Sequence, residues 1–329
     1  MTGTWLVADT IWWGARTHAG SALRLGPGPR EVRPVAEIPD GAARRTLPGA
    51  VLPGLCDAHV HSALVDLATL PAGGISYVWD LGGVPERVAA LAARGAPGMR
   101  YAGPFLIAPG GYPSDRSWAP AGSCREVRSA DDAAAAVGEA RAAGATLIKV
   151  TAHAGGPMLP AATLAAVVSA ARAAGLPVVA HAEGPGTVAA ACEAGVEVLA
   201  HTPWTEELDD ALLRDAAGRM TWISTLDIHG WGTPTPEQDT AIGNLRRFLE
   251  HGGKVRYGTD LGNGPLPPAV NPRELGALLR AGLDPPAILA AMIEPDAEPT
   301  WLPGGLDLDP ATFAASLATA RVLGPEARP

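Results

Sequence analysis

The chain has 329 residues, of which 47% are hydrophobic and only 5% aromatic, so a large core must be built mainly from alanine, valine and leucine. The formal net charge of −9 disfavours nucleic acids and anionic membranes as partners. No run reaches the roughly 18 apolar residues of a membrane span, and the first residues lack the basic stretch of a signal peptide. The composition therefore predicts a cytoplasmic protein whose partner is a small-molecule substrate.

Residues 1–50 differ in pattern from the rest of the chain. They contain short alternating stretches separated by Gly-Pro turns, without a helical period. This pattern predicts a small β-element at the N-terminus. The weakly patterned tail, residues 300–329, is a candidate to join it.

From residue 51 to residue 299, short β-branched runs alternate with alanine-rich helical patterns. Eight strand–helix units are what a (β/α)8 barrel of the TIM type requires, whereas an open doubly wound sheet more often has six strands. We therefore predict an α/β fold in which residues 51–299 form such a barrel behind the small β-element. The predicted strands are residues 51–60, 75–81, 101–107, 146–152, 177–182, 196–201, 220–226 and 254–259.

The first predicted strand of the barrel ends in the motif Asp57-Ala-His59-Val-His61. Residues i, i+2 and i+4 share one face of a strand, so the three polar side chains point the same way. Two imidazoles about 7 Å apart on that face can bind a single divalent cation. Two ordinary core histidines would explain an isolated motif of this kind equally well.

Four more residues of the metal-ligand type lie at the ends of later predicted strands: Lys149, His181, His201 and Asp260. Each alone has a plain structural explanation, such as a snorkelling lysine, a core histidine or a helix N-cap. However, the carboxyl ends of barrel strands meet at one rim, where the active sites of such barrels form. The shared position at that rim favours a metal-dependent hydrolase.

These motifs resemble those of the amidohydrolase superfamily, in the branch with prolidase-like dipeptidases and imidazolonepropionase-like proteins. The resemblance spans roughly residues 50–262 in the family's order. The stretches that carry it are residues 52–61, 74–83, 148–150 with 155–156, 179–184, 199–202 and 257–260.

The resemblance implies a centre of two divalent metal ions, with zinc as the expected metal. It implies that His59, His61 and Asp260 hold the more buried ion and that His181 and His201 hold the more exposed one. Lys149 would carry a carbamate that bridges both ions. A hydroxide between the metals would attack the substrate, with Asp260 as general base and then general acid.

Several features depart from the family pattern. His153 is inserted between Lys149 and the Gly-Gly pair, the tail keeps at most a remnant of the usual last strand at residues 305–309, and the region 226–232 is short. Loop residues expected near the substrate are Tyr112, His153, His229 and Trp231, with Arg116 and Trp118 as further candidates. Self-association into a homo-oligomer stays open.

The leading functional hypothesis is a binuclear metal-dependent hydrolase of a linear or cyclic amide bond, in a dipeptide, an N-acyl amino acid or a related small molecule. The alternative is a mononuclear amidohydrolase or deaminase acting on a nitrogen heterocycle, like imidazolonepropionase, in which Glu183 would handle protons. A third reading is a non-catalytic binding barrel. The complete set of six ligands disfavours it, because loss of function would be expected to remove at least one of them.

Overall fold

The computed structural model describes residues 3–26 and 28–323. Its strands are β1 (Thr4–Trp13), β2 (Arg16–Ala19), β3 (Ser21–Leu25), β4 (Val32–Pro34), β5 (Arg44–Leu52), β6 (Gly54–Val60), β7 (Ile75–Asp80), β8 (Gly98–Tyr101), β9 (Phe105–Ile107), β10 (Cys124–Glu126), β11 (Ile148–His153), β12 (Val178–Glu183), β13 (Val198–Leu199), β14 (Thr221–Ile223), β15 (Lys254–Arg256), β16 (Ile293–Glu294), β17 (Thr300–Leu302) and β18 (Arg321–Val322).

The helices are α1 (Pro85–Ala92), α2 (Ala130–Ala142), α3 (Ala161–Ala173), α4 (Thr187–Ala194), α5 (Asp210–Arg219), α6 (Pro236–Glu250), α7 (Pro272–Arg280), α8 (Pro285–Met292) and α9 (Phe313–Leu317). Three short 3-10 turns lie at Val35–Glu37, Leu67–Gly73 and Asp227–His229. Within the described ranges, none of these helices has the length and apolar character needed to cross a membrane.

One sheet combines both ends of the chain. Its strand order is β18-β17-β5-β1-β3-β4, with β2 paired to β1. The last two strands come from the tail, and β17 runs antiparallel to β5. Residues 305–309, where the sequence pattern retained a trace of a strand, form none. Buried apolar side chains such as Leu6, Ile11, Leu23 and Val51 form the core of this sheet.

The remaining strands form two sheets that are largely parallel. One has the order β10-β9-β11-β12-β13-β14-β15, and the other has the order β16-β6-β7-β8. Backbone hydrogen bonds connect the two sheets on both sides: Thr146 N donates to Tyr101 O at 2.9 Å, and His61 N donates to Leu261 O at 2.9 Å. The α/β class predicted from the sequence is confirmed. The strand pairings themselves form two sheets rather than one closed ring.

The parallel strands alternate between two buried faces. Ile148 and Val178 belong to the large cluster that also contains the buried side chains of the helices. Their neighbours Leu147 and Val179 belong to a second, inner cluster, together with Cys56 and Ala58 from β6. Because side chains two residues apart share a face of a strand, β11 and β12 direct their next inner side chains to a position above this cluster.

Helices form between the strands, as the alanine-rich patterns predicted, and capping residues mark where several of them begin. Ser129, Asp209 and Thr235 each accept a hydrogen bond from a backbone N–H in the first turn of α2, α5 and α6. The predicted strand 101–107 was wrong as one element, since it divides into β8 and β9. Gly103, with φ of +69°, and Pro104, which lacks an N–H, interrupt the pairing between them.

Candidate metal centre

The six residues predicted as metal ligands gather at the carboxyl ends of the parallel strands. The side chains of all six are buried and line one common cavity. They lie at different positions relative to their strands. Lys149 and His181 lie within β11 and β12, and His201 follows β13 by two residues. Asp260 follows β15 by four residues, so the last predicted strand is shorter than expected. The set consists of His59, His61, Lys149, His181, His201 and Asp260.

Three of these residues converge on one point. Oδ1 of Asp260 lies 3.1 Å from Nε2 of His59 and 3.2 Å from Nε2 of His61. The two Nε2 atoms are 3.3 Å apart. Oδ1 of Asp260 nevertheless has no hydrogen-bond partner, so its lone pairs are not used by a donor. Three such atoms at this spacing fit the donor set of a single divalent cation.

The second nitrogen of each imidazole fixes its tautomer. Nδ1 of His59 lies 2.8 Å from the carbonyl oxygen of Ala200, and Nδ1 of His61 lies 3.3 Å from that of Gly82. A carbonyl oxygen only accepts, so the proton of each neutral ring is placed on Nδ1. Both Nε2 atoms therefore present lone pairs toward Asp260, as metal ligands do.

His201 belongs to the same group, because His59, His201 and Asp260 offer ligand atoms within 4.8 Å of one another. Its Nδ1 lies 3.0 Å from the hydroxyl oxygen of Thr225. Burial is the largest influence on both imidazoles and holds the pKa of His59 and that of His201 well below the ordinary value of 6.5. Both rings are therefore neutral at physiological pH, which is the form that binds metals.

Lys149 is only 1% exposed at the base of the cavity. Burial lowers the pKa of its amine to about 7, and the negative charge of Asp260 offsets only part of this effect. A cationic amine in such a place is costly, because it has lost the water that would solvate it.

A second group of candidate ligands lies beside the first. His153, His181 and Glu183 offer ligand atoms within 4.8 Å of one another. Oε2 of Glu183 lies 2.9 Å from Nε2 of His181 and 3.0 Å from Nδ1 of His153. The phenol ring of Tyr112 stacks on both imidazoles, with centroid distances of 4.9 Å to His153 and 4.8 Å to His181.

The cavity has a volume of about 310 Å³. Of the residues expected near the substrate, Tyr112 and Trp118 line it, whereas His153, His229 and Trp231 do not. His229 packs against Trp204 at a centroid distance of 4.9 Å, and burial lowers its pKa to about 4. The roles of these residues toward a substrate stay predictions.

Some lining residues carried no signal of function in the sequence. Phe105, Leu64 and Asn263 all line the cavity, and none was expected there. Asn263 lies three residues after Asp260 in the turn that follows β15, a spacing at which a side-chain amide can reach back. Asp57 also has a role that the motif did not reveal: its carboxylate accepts hydrogen bonds from His59 N and from Thr259 N, both at 3.0 Å, and so ties β6 to the segment before Asp260.

The fold has known counterparts among solved structures. Ochratoxinase from A. niger superposes with a TM-score of 0.77 at 18% identity, covering 99% of this chain and 93% of that one. A Xaa-Pro dipeptidase with bound methionine gives a TM-score of 0.77 at 18% identity, with 97% of each chain covered. Phenylurea hydrolase B gives 0.74 at 16% identity, covering 96% of this chain and 94% of that one.

No protein-family model matches the chain, and no curated protein matches it by sequence. The solved structures establish its class: the chain shares the fold of amidohydrolase-type enzymes over nearly its whole length. The resemblance to the amidohydrolase superfamily found in the sequence is thus confirmed at the level of the fold.

Proposed function

We propose that the protein is a metal-dependent amidohydrolase, which holds two divalent cations and cleaves an amide or related carbonyl–nitrogen bond in a small molecule. One observation carries this proposal. Oδ1 of Asp260 has no hydrogen-bond donor, although two imidazole nitrogens lie 3.1 and 3.2 Å away with their lone pairs directed at it. Without a cation between them, these three atoms would repel one another.

The donor set supports a two-ion site. His59, His61 and Asp260 would hold the more buried cation, and His181 and His201 would hold the more exposed one. Imidazole and carboxylate ligands of this kind suit zinc. When bound, such cations lower the pKa of a water molecule and polarise the carbonyl group that is attacked.

Lys149 would join the two cations as a carbamate. Its amine in the neutral form would add to carbon dioxide with loss of one proton, so that a side chain otherwise buried as an ammonium group becomes an anion. The side chain of Lys149 is only 1% exposed, in a cavity lined by four imidazoles. The conversion therefore removes the cost of burying the ammonium group and supplies two oxygen ligands.

Asp260 would move the proton in this reaction. Its carboxylate would take the proton of the attacking water and would then pass it to the leaving nitrogen. The contacts of Nδ1 in His59 and His61 with backbone carbonyls hold both rings with Nε2 toward Asp260. The residue thus acts as a general base and then as a general acid.

We also infer that the two parallel sheets close into a (β/α)8 barrel, with the small β-element outside it. Two sets of backbone hydrogen bonds support closure: Ala58 N donates to Tyr257 O at 3.0 Å, and Thr146 N donates to Tyr101 O at 2.9 Å. Tyr101 lies on β8 and Tyr257 directly follows β15, and each of these is an edge strand of its own sheet. Their partners belong to the other sheet, since Thr146 lies just before β11 and Ala58 lies on β6. In such barrels the active site lies at the carboxyl ends of the strands, where the six candidate ligands lie here.

The arrangement of Glu183 argues against the deaminase alternative. A proton carrier must be free to reach the substrate, but this carboxylate accepts a hydrogen bond from Nε2 of His181 at 2.9 Å. The names of the structural relatives also favour hydrolysis of carbonyl–nitrogen bonds, since they include a Xaa-Pro dipeptidase and a phenylurea hydrolase.

The first test is the metal content of protein purified without a chelator. We expect two equivalents per chain in the wild type, and one or none in Lys149→Ala. Lys254 is the chain's other lysine, and it is exposed on β15, so Lys254→Ala is the matched control and should retain both equivalents. About one equivalent in all three proteins would refute the bridged pair and support a mononuclear centre.

The carbamate has its own test, because the chain contains only two lysines. Protein equilibrated with carbon-13 bicarbonate should give one carbamate signal in its carbon NMR spectrum. The signal should be absent from Lys149→Ala and present in Lys254→Ala. A wild-type spectrum without the signal, from protein that holds two metal equivalents, would exclude the modification.

A further inference from the structure

Three aromatic side chains form one wall of the cavity. The ring of Trp118 meets Phe105 edge to face at 6.2 Å and meets Tyr112 in the same manner at 6.1 Å. The same indole lies 6.0 Å from the ring of His61, so the wall borders the candidate ligands directly. Aromatic faces and edges of this kind bind flat apolar groups.

The lining outside the aromatic wall and the candidate ligands is also apolar or uncharged. It consists of Leu64 and the turn 262–264, whose backbone passes close to large side chains. A β-carbon at Gly262 would lie 2.9 Å from Cβ of Leu64, and one at Gly264 would lie 2.4 Å from the indole of Trp231. Leu64 and Trp231 therefore both lie against this turn.

The large hydrophobic side chains left exposed in the described parts of the chain lie on loops at this end of the strands. They are Leu64 at 40%, Met158 at 43% and Trp231 at 43% exposure. Met158 follows Pro157, whose carbonyl oxygen lies against Gly111, the neighbour of Tyr112. Exposed apolar groups that cluster beside a cavity indicate a surface for an apolar ligand.

The charges around the cavity disfavour an anionic substrate. Among its described lining residues, Lys149 is the only lysine or arginine, and it lies at the base among the candidate metal ligands. The guanidinium of Arg116 stands 5.5 Å over the ring of Tyr112 and pairs with Asp115 at 3.4 Å. A substrate carboxylate is commonly held by a paired arginine fork, and the lining offers none.

We infer that the substrate is an uncharged amide or urea that carries a flat aromatic group, seated against Phe105, Tyr112 and Trp118. This inference rests on the proposed function and narrows it: the dipeptides and N-acyl amino acids expected from the sequence become poor ligands. The volume of about 310 Å³ accommodates a small molecule, and a longer apolar substituent extends past Leu64 and Trp231.

The test compares two ligands that differ only in one charge, N-benzoylglycinamide and N-benzoylglycine. Their dissociation constants are measured by calorimetry on metal-containing protein, and their hydrolysis is followed by release of benzoate. We expect the neutral amide to bind at least about ten-fold more tightly. Equal or tighter binding of the anion, or no binding of either compound, would overturn the inference.

Variants of Trp118 show whether the aromatic wall is responsible. Trp118→Ala should weaken binding of the neutral amide about ten-fold, and Trp118→Phe should restore most of it, because the ring contact is retained. Equal binding in both variants would refute a role for the wall. Tight binding of the amide without any hydrolysis of either compound would instead refute the proposed function and leave the binding preference standing.

Discussion

The side-chain amide of Asn263 donates a hydrogen bond of 2.9 Å to Oδ2 of Asp260. Asp260 itself has a left-handed backbone with φ of +56°, which is uncommon for a residue other than glycine. The bond occupies Oδ2 and leaves Oδ1 facing His59 and His61. Asn263 therefore decides which carboxylate oxygen is offered to a cation or to a proton.

We predict that Asn263→Ala lowers kcat about ten-fold with little change in KM. The cost of one hydrogen bond to a charged group accounts for this size, because the carboxylate of Asp260 can then rotate away from its working orientation. The check is steady-state kinetics with metal content measured on the same preparation. If Asn263→Ala loses metal or fold but keeps the wild-type kcat for each metal-loaded site, then Asn263 has only a structural role.

The regular strands explain why most candidate ligands could be predicted from the sequence. Lys149 and His181 lie on six-residue strands whose alternation determines the face of each side chain. The hydrogen bond between Asn263 and Asp260 leaves no such periodic trace, because it depends on the course of a loop. The tail strands β17 and β18 have only three and two residues, too few to show a period of two.

The second prediction concerns Glu183 and His153 and their effect on the binding of the more exposed cation. The carboxylate of Glu183 lies 2.9 Å from Nε2 of His181, which keeps a proton there and leaves Nδ1 free to bind a metal. Nδ1 of His153, a residue absent from the usual family pattern, lies 3.0 Å from the same oxygen. Glu183→Gln should weaken binding of the more exposed cation by about 10-fold to 100-fold.

Chelator competition measures this effect, with Glu193→Gln as the matched control. Glu193 is exposed on α4 and does not line the cavity, so the same change there should leave both affinities unaltered. His153→Ala should weaken binding less than Glu183→Gln, since it removes a contact to the carboxylate rather than the carboxylate itself. Wild-type affinity in Glu183→Gln would exclude the orienting role.

The third prediction concerns a buried acid away from the centre. Glu274, in the first turn of α7, is fully buried and accepts hydrogen bonds from Leu226 N at 3.0 Å and Asp227 N at 2.7 Å. Burial outweighs these bonds and raises the pKa of Glu274 from 4.5 to about 7. The folded protein therefore binds this proton more tightly than the unfolded chain does.

The raised pKa of Glu274 determines how the free energy of unfolding changes with pH. The contribution of Glu274 to the free energy of unfolding is complete below about pH 4.5 and is lost as the pH rises through about 7. Glu274→Gln cannot ionise, so its stability relative to the wild type should increase by roughly 3 kcal/mol at most between about pH 5 and pH 8. Urea unfolding of both proteins across this range measures the difference. A difference that does not vary with pH would contradict the prediction.

The last prediction tests how closely the backbone supports the candidate ligands. Gly258 passes beneath His59: a β-carbon there would lie 2.3 Å from Cγ2 of Ile223 and 3.1 Å from the backbone nitrogen of His59. Gly258→Ala should therefore displace His59 and lower the affinity for the more buried cation by at least about ten-fold. The affinity is measured by chelator competition on protein with wild-type circular dichroism.

The matched control is Gly276, in the middle of α7, where nothing lies within 4 Å of such a β-carbon. Gly276→Ala should keep the wild-type affinity and raise the free energy of unfolding by about 0.5–1 kcal/mol, because alanine favours a helix. If both variants bind the metal like the wild type, close packing at Gly258 does not fix the position of His59.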